Sequence, residues 1–379
     1  MEYKRCNRCV MDNSSDKTIT FDENGYCRYC STSLAIKNKV YFPNEIGKRK
    51  VEEMISRIKN TSKGKKYDCV IGISGGLDSS YLLYQAYKWG LRVLAVHIDD
   101  GYDTDISKKN LKRLIKTTGF DCKVIKPDAE QFDALSLAFM QAGVPNIAIP
   151  QDNVLFAFLY AQMKKYKINY MLNGVNYSLE CILQEGNTHR NTDLIHIRDI
   201  EKNFDNRKTD KLRFISTIQV LGYRYLTKMQ TYTPLNWIDY NRDRAFNELK
   251  EFCGFEYYGR KHLENVFTAF VQLYWFPKKF NVDKRTSHLS SMIVSGQMTR
   301  DEALKELEEP LYDEKQMEKY ISIIIKRLGI TREELDNIIM SPSHQHEDYK
   351  IEDNRVYFKL IQVIRKKRLE RMKYKGSEN

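Results

Sequence analysis

The sequence predicts an α/β protein: a doubly wound, mostly parallel sheet flanked by a small N-terminal ribbon and a helical C-terminal domain. Three observations carry that expectation. Two Cys-x-x-Cys pairs fall in the first thirty residues, short apolar runs alternate with helix-length segments from Asp68 to Leu172, and the strand signal disappears after about Ala245. The boundaries read as 1–40 for the ribbon, 48–244 for the sheet domain and 245–379 for the helical domain. A chain of 379 residues lets the larger units bury their own cores, and 42% hydrophobic residues mark a globular rather than a disordered protein. No run approaches the roughly 20 consecutive apolar residues of a membrane span, so a soluble protein is expected.

The ribbon comes first. Cys6 and Cys9 form one pair and Cys27 and Cys30 the other, with seventeen residues between them and Gly25 supporting the turn before the second pair. Each pair makes a knuckle that points two thiolates at one ion, and the spacing is that of a four-cysteine site. A closed, structural Zn²⁺ is the expected occupant, with an iron-sulfur cluster as the lesser alternative. No leader pattern opens the chain, and a reducing cytoplasm is the expected compartment, so Cys69, Cys122, Cys181 and Cys253 read as core or partly exposed thiols.

The sheet follows, with strands expected at Asp68–Ile73, Leu91–Ile98, Cys122–Ile125 and Asn169–Leu172. The first strand runs into Ser74, Gly75, Gly76, Leu77, Asp78 and Ser79, and a helix is read over Tyr81–Tyr87. Glycines let backbone N–H groups approach phosphate oxygens, and the helix N-terminus favours the same anion. The serines add hydroxyl donors. No Gly-Lys-Ser/Thr follows, so this is a phosphate cradle of another kind than Walker A. The second strand ends in His97, Asp99 and Asp100, candidate nucleotide contacts at the carboxyl edge of a doubly wound sheet. A further loop, Asn173-Gly174-Val175-Asn176, reaches the same edge.

Beyond Ala245 the periodicity predicts helices at Glu264–Tyr274, Thr299–Leu307, Glu314–Leu328 and Thr331–Ile339, two of them opened by capping boxes at Thr299 with Glu302 and Thr331 with Glu334. Gly296, Gln297 and Arg300 read as turn and helix-start residues. Lys plus Arg number 62 against 50 Asp plus Glu, a net +12 that suits nucleic acid, an anionic membrane surface or phosphorylated small molecules without choosing among them. The basic run Arg365–Arg368 reads as a solvated helix face.

The string Ser74-Gly-Gly-x-Asp-Ser79 between strand and helix resembles the pyrophosphate-binding loop of the N-type ATP pyrophosphatases, the PP-loop superfamily. That resemblance implies an adenine nucleotide alpha hydrolase-like fold and cleavage of ATP between its α and β phosphates, with AMP passing to a substrate oxygen. ATP would lie on Ile73, Ser74, Gly75, Gly76, Asp78, Ser79, His97, Asp99 and Gly174, with Mg²⁺ bridging its phosphates. The segments from Gly259 to Thr268 and from Lys279 to Ala303, with the cysteine pairs and Pro150-Gln151-Asp152-Asn153, resemble the N-acetyl sugar amidotransferase family over most of the chain. That likeness implies conversion of an acetamido to an acetamidino group in pseudaminic acid (flagellin glycosylation) or lipopolysaccharide O-antigen synthesis. Asp78, Lys261, Lys284 and Arg285 then become candidate catalytic groups, and Gln151, Asn153, Asn176 and Glu180 contacts for an N-acetylated sugar acid or nucleotide sugar. Position 2 is Glu, and none of the remaining cysteines sits in a glutaminase nucleophile turn, so a separate glutaminase subunit is expected to supply ammonia. No membrane partner is expected. The main rival is a tRNA-modifying adenylase of the thiolase or lysidine-synthetase type; no RNA-binding module or second cysteine pair for sulfur relay favours it, and nucleic acid is not an expected partner. A nucleic-acid-binding ribbon protein with a degenerate nucleotide fold is the rival from another class.

Overall fold

The computed structural model describes residues 2–205, 209–259, 263–360 and 362–363. Its sheet has five parallel strands, β1 Cys69–Gly72, β2 Val93–Ile98, β3 Asp121–Ile125, β4 Tyr170–Leu172 and β5 Gln230–Tyr232, in the order β3-β2-β1-β4-β5. The chain builds outward from β1 to β3 and then returns to the other side of β1. The topological switch therefore lies between β1 and β4, where a doubly wound sheet opens its ligand crevice. Cys69, Val70 and Ile71 are wholly buried, as a central strand covered on both faces requires. The four expected strands form within a residue or two of their predicted limits. β5 was not expected, because three residues with two exposed polar positions leave no apolar run.

The helix Leu77–Lys88 follows β1 and packs with Arg242–Cys253 over one face of the sheet. Ala245, Leu249 and Phe255 share a core with Ile71, Leu82 and Leu83. Residues just past the expected boundary at 245 thus belong physically with the sheet. The next expected helix starts at Val266 and continues through a wider π turn, Val271–Trp275, to Phe280. Its Phe267, Phe270 and Trp275 join Phe132, Phe139, Ile321 and Ile324 in the largest core of the molecule, which fuses the helical region to the sheet's own helices. Arg327 strengthens that seam: it forks onto Asp133 at 2.8 Å, stacks on Tyr102 and donates to the Asp100 carbonyl.

The ribbon is docked rather than free. Val10 N–H donates to Ser290 Oγ, Lys37 Nζ to the Val294 carbonyl, and Arg300 to the carbonyls of Cys6 and Cys9, all against or beside the helix Arg285–Ser295. Gly296 ends that helix at φ +90°, and Thr299 opens the next one with its expected capping box. Arg365–Arg368 lies outside the described residues. Among the described residues, no helix is long and apolar enough to cross a membrane.

Candidate functional site

At the switch point β1 turns into the phosphate loop. Gly75 takes φ +80°, and a Cβ there would stand 2.4 Å from the Ser107 carbonyl oxygen, so only glycine fits. Ser74 Oγ accepts the Gly76 N–H at 3.2 Å and lies 3.3 Å from Ser79 Oγ, which folds the loop over the N-terminus of Leu77–Lys88. The first N–H of that helix, on Leu77, donates to the Tyr258 hydroxyl at 2.8 Å. Asp78, on the first turn, accepts hydrogen bonds from Asn176 Nδ2 at 3.3 Å and from the Tyr240 hydroxyl. Burial and the Asp78 charge push the Tyr240 phenol well above its ordinary range, so it stays a donor. Gly174 backs onto the same turn, where a Cβ would approach the Asp78 carbonyl carbon to 3.2 Å.

Two cavities flank this turn. One, of about 420 Å³, opens along Ile73, Ser74, His97, Asp100, Gln151 and Glu264. The other, of about 370 Å³, lies against Leu77, Asp78, Arg242, Tyr258 and Met292. Gln272, Lys284 and His288 line both. Each cavity is large enough for a small-molecule ligand. Lys284 is half-buried, its ammonium 3.4 Å from Gln184 Oε1, and desolvation lowers its pKa to about 8 against the pull of Asp16.

The predicted residues divide. Ile73, Ser74, Gly75, Gly76, Asp78, Ser79 and Gly174 come together at the turn, and Gln151, Glu180, His97 and Lys284 line the larger cavity beside it. Asn176 is buried as the cap of a four-residue helix and steadies Asp78. His97 sits between two acceptors, the Ile73 carbonyl and Asp103, each at 2.8 Å. Burial opposes its charge, but the Asp103 carboxylate and that carbonyl outweigh it and raise its pKa. Its ring is a strut between β1 and the loop after β2. Asp99 turns away, pairing with Lys126 at 3.2 Å in a separate surface groove, while its neighbour Asp100 faces the larger cavity, its carboxyl raised by burial.

Two further expectations need correction. Asn153 is wholly buried, donates to the carbonyls of Asn191 and Ile215 and accepts the Ile215 N–H, which uses its amide inside the scaffold. Arg285 borders the smaller cavity, but its guanidinium forks onto Asp283 and donates to the carbonyls of Glu306, Leu307 and Glu309. It ties off the C-terminal end of the helix Arg300–Glu308 instead of facing a phosphate. Lys261 lies outside the described residues.

Sequence reasoning missed Tyr240, Tyr258 and Glu264. The tyrosines sit in segments with no motif. Glu264 is the first residue of an expected helix, and a charged residue at the head of so apolar a segment is the one signal that points to it.

The cysteine pairs and the surroundings of the phosphate loop each offer groups suited to a metal ion. The four cysteines are wholly buried and all four Sγ atoms lie within 4.8 Å of one another, with Cys6 to Cys30 at 3.7 Å and Cys9 to Cys27 at 3.5 Å. Thiolates about 2.3 Å from one tetrahedral ion are separated by about 3.8 Å, so the geometry suits a single ion. Local N–H groups of Arg8, Cys9 and Cys27 point at Cys6 Sγ, as negative sulfur requires. Beside the phosphate loop, Glu264 carries a buried oxygen, Oε2, with no hydrogen-bond partner among the described residues. A carboxylate there suits the cation that accompanies a nucleotide's phosphates.

Residues 264–365 match the family model for the C-terminal domain of LPS biosynthesis protein WbpG-like proteins, and residues 68–178 match that for queuosine biosynthesis protein QueC. An uncharacterized protein of Methanocaldococcus jannaschii, MJ1599, is 30% identical over 126 residues, 33% of this chain and 43% of that protein. The match thus spans less than half the length of that relative. Among solved structures, NMN synthetase from Francisella tularensis is 17% identical, covering 57% of this chain and 98% of its own, at a TM-score of 0.28. The NH3-dependent NAD synthetase of Campylobacter jejuni is 15% identical over 55% of this chain and 93% of its own, at 0.30. The U34-tRNA thiolase NcsA of Methanococcus maripaludis, with its [4Fe-4S] cluster, is 13% identical over 82% and 90%, at 0.33. Likenesses this distant say nothing about chemistry. The two family matches meet at one pair of cavities: the QueC-like stretch supplies the loop after β1, and the stretch similar to a WbpG-like C-terminal domain supplies the residues that face it.

Proposed function

We propose that the chain is an ATP-dependent amidotransferase that turns the N-acetyl group of a sugar into an acetamidino group. The observation that carries this reading is the junction itself: Glu264, Lys284 and His288, from the region matched to a lipopolysaccharide-biosynthesis domain, line the same cavity as Ser74 of the phosphate loop. The acetyl oxygen attacks the α-phosphate of ATP and the bond to the β-phosphate breaks, leaving an adenylated imidate and pyrophosphate. Ammonia then attacks the imidate carbon, and AMP leaves with the former acetyl oxygen.

The loop amides and the helix N-terminus bind the phosphates, and Asp78, held by Tyr240 and Asn176, fixes that end of the site. Gln151 and Glu180 face the acceptor. Lys284, with its pKa lowered to about 8, stabilises charge on the α-phosphate when protonated and accepts the proton that ammonia sheds when neutral. A Mg²⁺ bound beside the loop would supply neutralisation of the phosphates' charge. The cysteine site holds Zn²⁺ as a structural ion, and ammonia comes from a separate glutaminase subunit in the cytoplasm.

The test is pyrophosphate release from ATP with ammonium and a panel of N-acetylated nine-carbon sugar acids and UDP-sugars, beside bulk tRNA. Stimulation by one sugar class, with an acetamidino product by mass spectrometry, is the expected result. Stimulation by tRNA alone would overturn it in favour of a tRNA adenylase, and glutamine serving the isolated chain as well as ammonium would overturn the separate glutaminase.

A further inference from the structure

We propose that Glu264 is a ligand of the divalent cation that accompanies ATP, so that the helical region completes the phosphate site through a metal ion. This rests on the ATP-using reading above and adds a residue and a role to it. Glu264 is 8% exposed. Its Oε1 accepts a hydrogen bond from Ser74 Oγ at 3.2 Å, and a Cβ on Gly76 would stand 2.4 Å from the same oxygen, so the carboxylate lies directly against the loop. Its Oε2 is buried with no partner among the described residues.

The placement is built. The Glu264 carbonyl accepts both the N–H and the hydroxyl of Thr104, Val266 N–H donates to the Tyr102 carbonyl, and Asp103 and Asn265 form an isolated antiparallel bridge. Residues 264–266 are thereby laced to the loop after β2. Other carboxylates of the cavity are differently engaged: Asp100 accepts from Tyr102 N–H, Gln151 and Asn265, and Asp103 holds His97.

A buried carboxylate pressed against a phosphate loop repels the ligand the loop is shaped to receive, unless a cation stands between them. Magnesium in nucleotide sites is held by one or two carboxylates together with the phosphates, the rest of its octahedron being water. An unpartnered carboxylate oxygen beside the loop supplies the protein's share of that shell, and the phosphates supply theirs. Glu264 then favours the metal-nucleotide complex over the bare nucleotide.

The experiment is calorimetric titration of the full chain with α,β-methylene ATP, with Mg²⁺ and with EDTA, alongside Mn²⁺ binding followed by electron paramagnetic resonance. The wild type should bind the analogue at least about tenfold more tightly with Mg²⁺. Glu264→Gln should lose most of that dependence, bind metal-free analogue at least as well as the wild type, and hold Mn²⁺ about tenfold more weakly in the ternary complex. Glu264→Asp, which keeps the charge, should restore part of the metal dependence. If Glu264→Gln weakened binding equally with and without metal, Glu264 would be a prop for Ser74 and the proposal would fall, as it would if the variant kept the full Mg²⁺ effect. Should the wild type bind no analogue under either condition, the ATP-using reading would fall with it.

Discussion

The ribbon and the phosphate loop are both short motifs punctuated by glycine, yet they are completed in opposite ways. The ribbon draws its four ligands from Cys6 to Cys30, and N–H groups within that stretch serve its sulfurs. The phosphate loop takes its support from Asn176, Tyr240, Tyr258 and Glu264, all roughly a hundred residues or more along the chain. One site is closed on itself, its four sulfurs buried and gathered from a single short stretch. The other is assembled by the fold and retains an unpartnered carboxylate oxygen and a lysine with a lowered pKa. A site that carries only structure can be local; a site that carries chemistry needs groups from several directions, held apart until a ligand joins them.

The largest effect should come from breaking the closed site. Cys27→Ser removes one of four ligands, and a structural zinc contributes on the order of 10 kcal/mol, comparable to the whole stability of a domain. We expect the purified variant to lack its metal by elemental analysis and to melt on the order of 10 °C lower by calorimetry. Because the ribbon docks on Arg285–Ser295 through Ser290, Val294 and Arg300, activity should fall with the fold. A variant that lost its metal but kept its melting temperature would break the comparison.

The open site should respond in the opposite way, losing chemistry and keeping its fold. In Asp78→Asn the side chain still accepts from Tyr240, so thermal unfolding should stay close to that of the wild type. Pyrophosphate release should drop by about 10²- to 10³-fold, the usual effect of removing one preorganised electrostatic group. Equal losses of stability and rate would show that Asp78 serves the scaffold only.

Lys284→Met should cost less, about ten- to a hundredfold in rate. Its signature is in pH. With a pKa of about 8, the wild-type lysine becomes neutral as pH rises through that value, so a step that needs it as a base should accelerate through pH 8 and then level off. The variant should lack that limb. Stability gives an independent check of sign. The folded lysine's pKa lies below the unfolded value of 10.5, so the unfolded chain binds more protons between about pH 8 and 10.5, and the Lys284 contribution becomes more favourable with rising pH across that window. Denaturant midpoints of wild type and variant should therefore converge as pH rises from 8 to 10.5.

Legibility follows the same division. The cysteine pairs, the four main strands and the loop Ser74–Ser79 were readable because each is a contiguous pattern whose period or spacing is its own explanation. β5 escaped because three residues paired only with β4 carry no apolar run. Asp99 and Asp100 read alike as nucleotide contacts, because the turn after β2 decides which carboxylate faces the cavity and spacing cannot reveal it. Arg285 looks like a phosphate partner because three of its acceptors, carbonyls more than twenty residues away, are in place only once the helix Arg300–Glu308 has folded beside it. Charge in a sequence states what a residue offers, and the fold decides which acceptor takes it.

The smallest expected effect, a loss of stability with no loss of chemistry, lies within one helix and gives the finest form of the comparison. Gln151 and Asn153 sit two positions apart in Ile149–Lys165, a spacing that sends them to different faces. Gln151 reaches Asp100 at 2.5 Å and lines the larger cavity. Asn153 makes three hydrogen bonds that pin the segments at Asn191 and Ile215. Asn153→Ala leaves those backbone groups buried and unpaired, which should lower the unfolding free energy by about 2 kcal/mol while leaving the KM for ATP and acceptor within about twofold. Gln151→Ala should do the reverse, changing stability by less than about 1 kcal/mol and raising the KM for the acceptor several-fold. Denaturant unfolding and steady-state kinetics on the two variants decide the matter together. If Asn153→Ala kept its stability and lost acceptor binding, the amide's partners would lie in the cavity after all, and the line between scaffold and site would have to be redrawn through that helix.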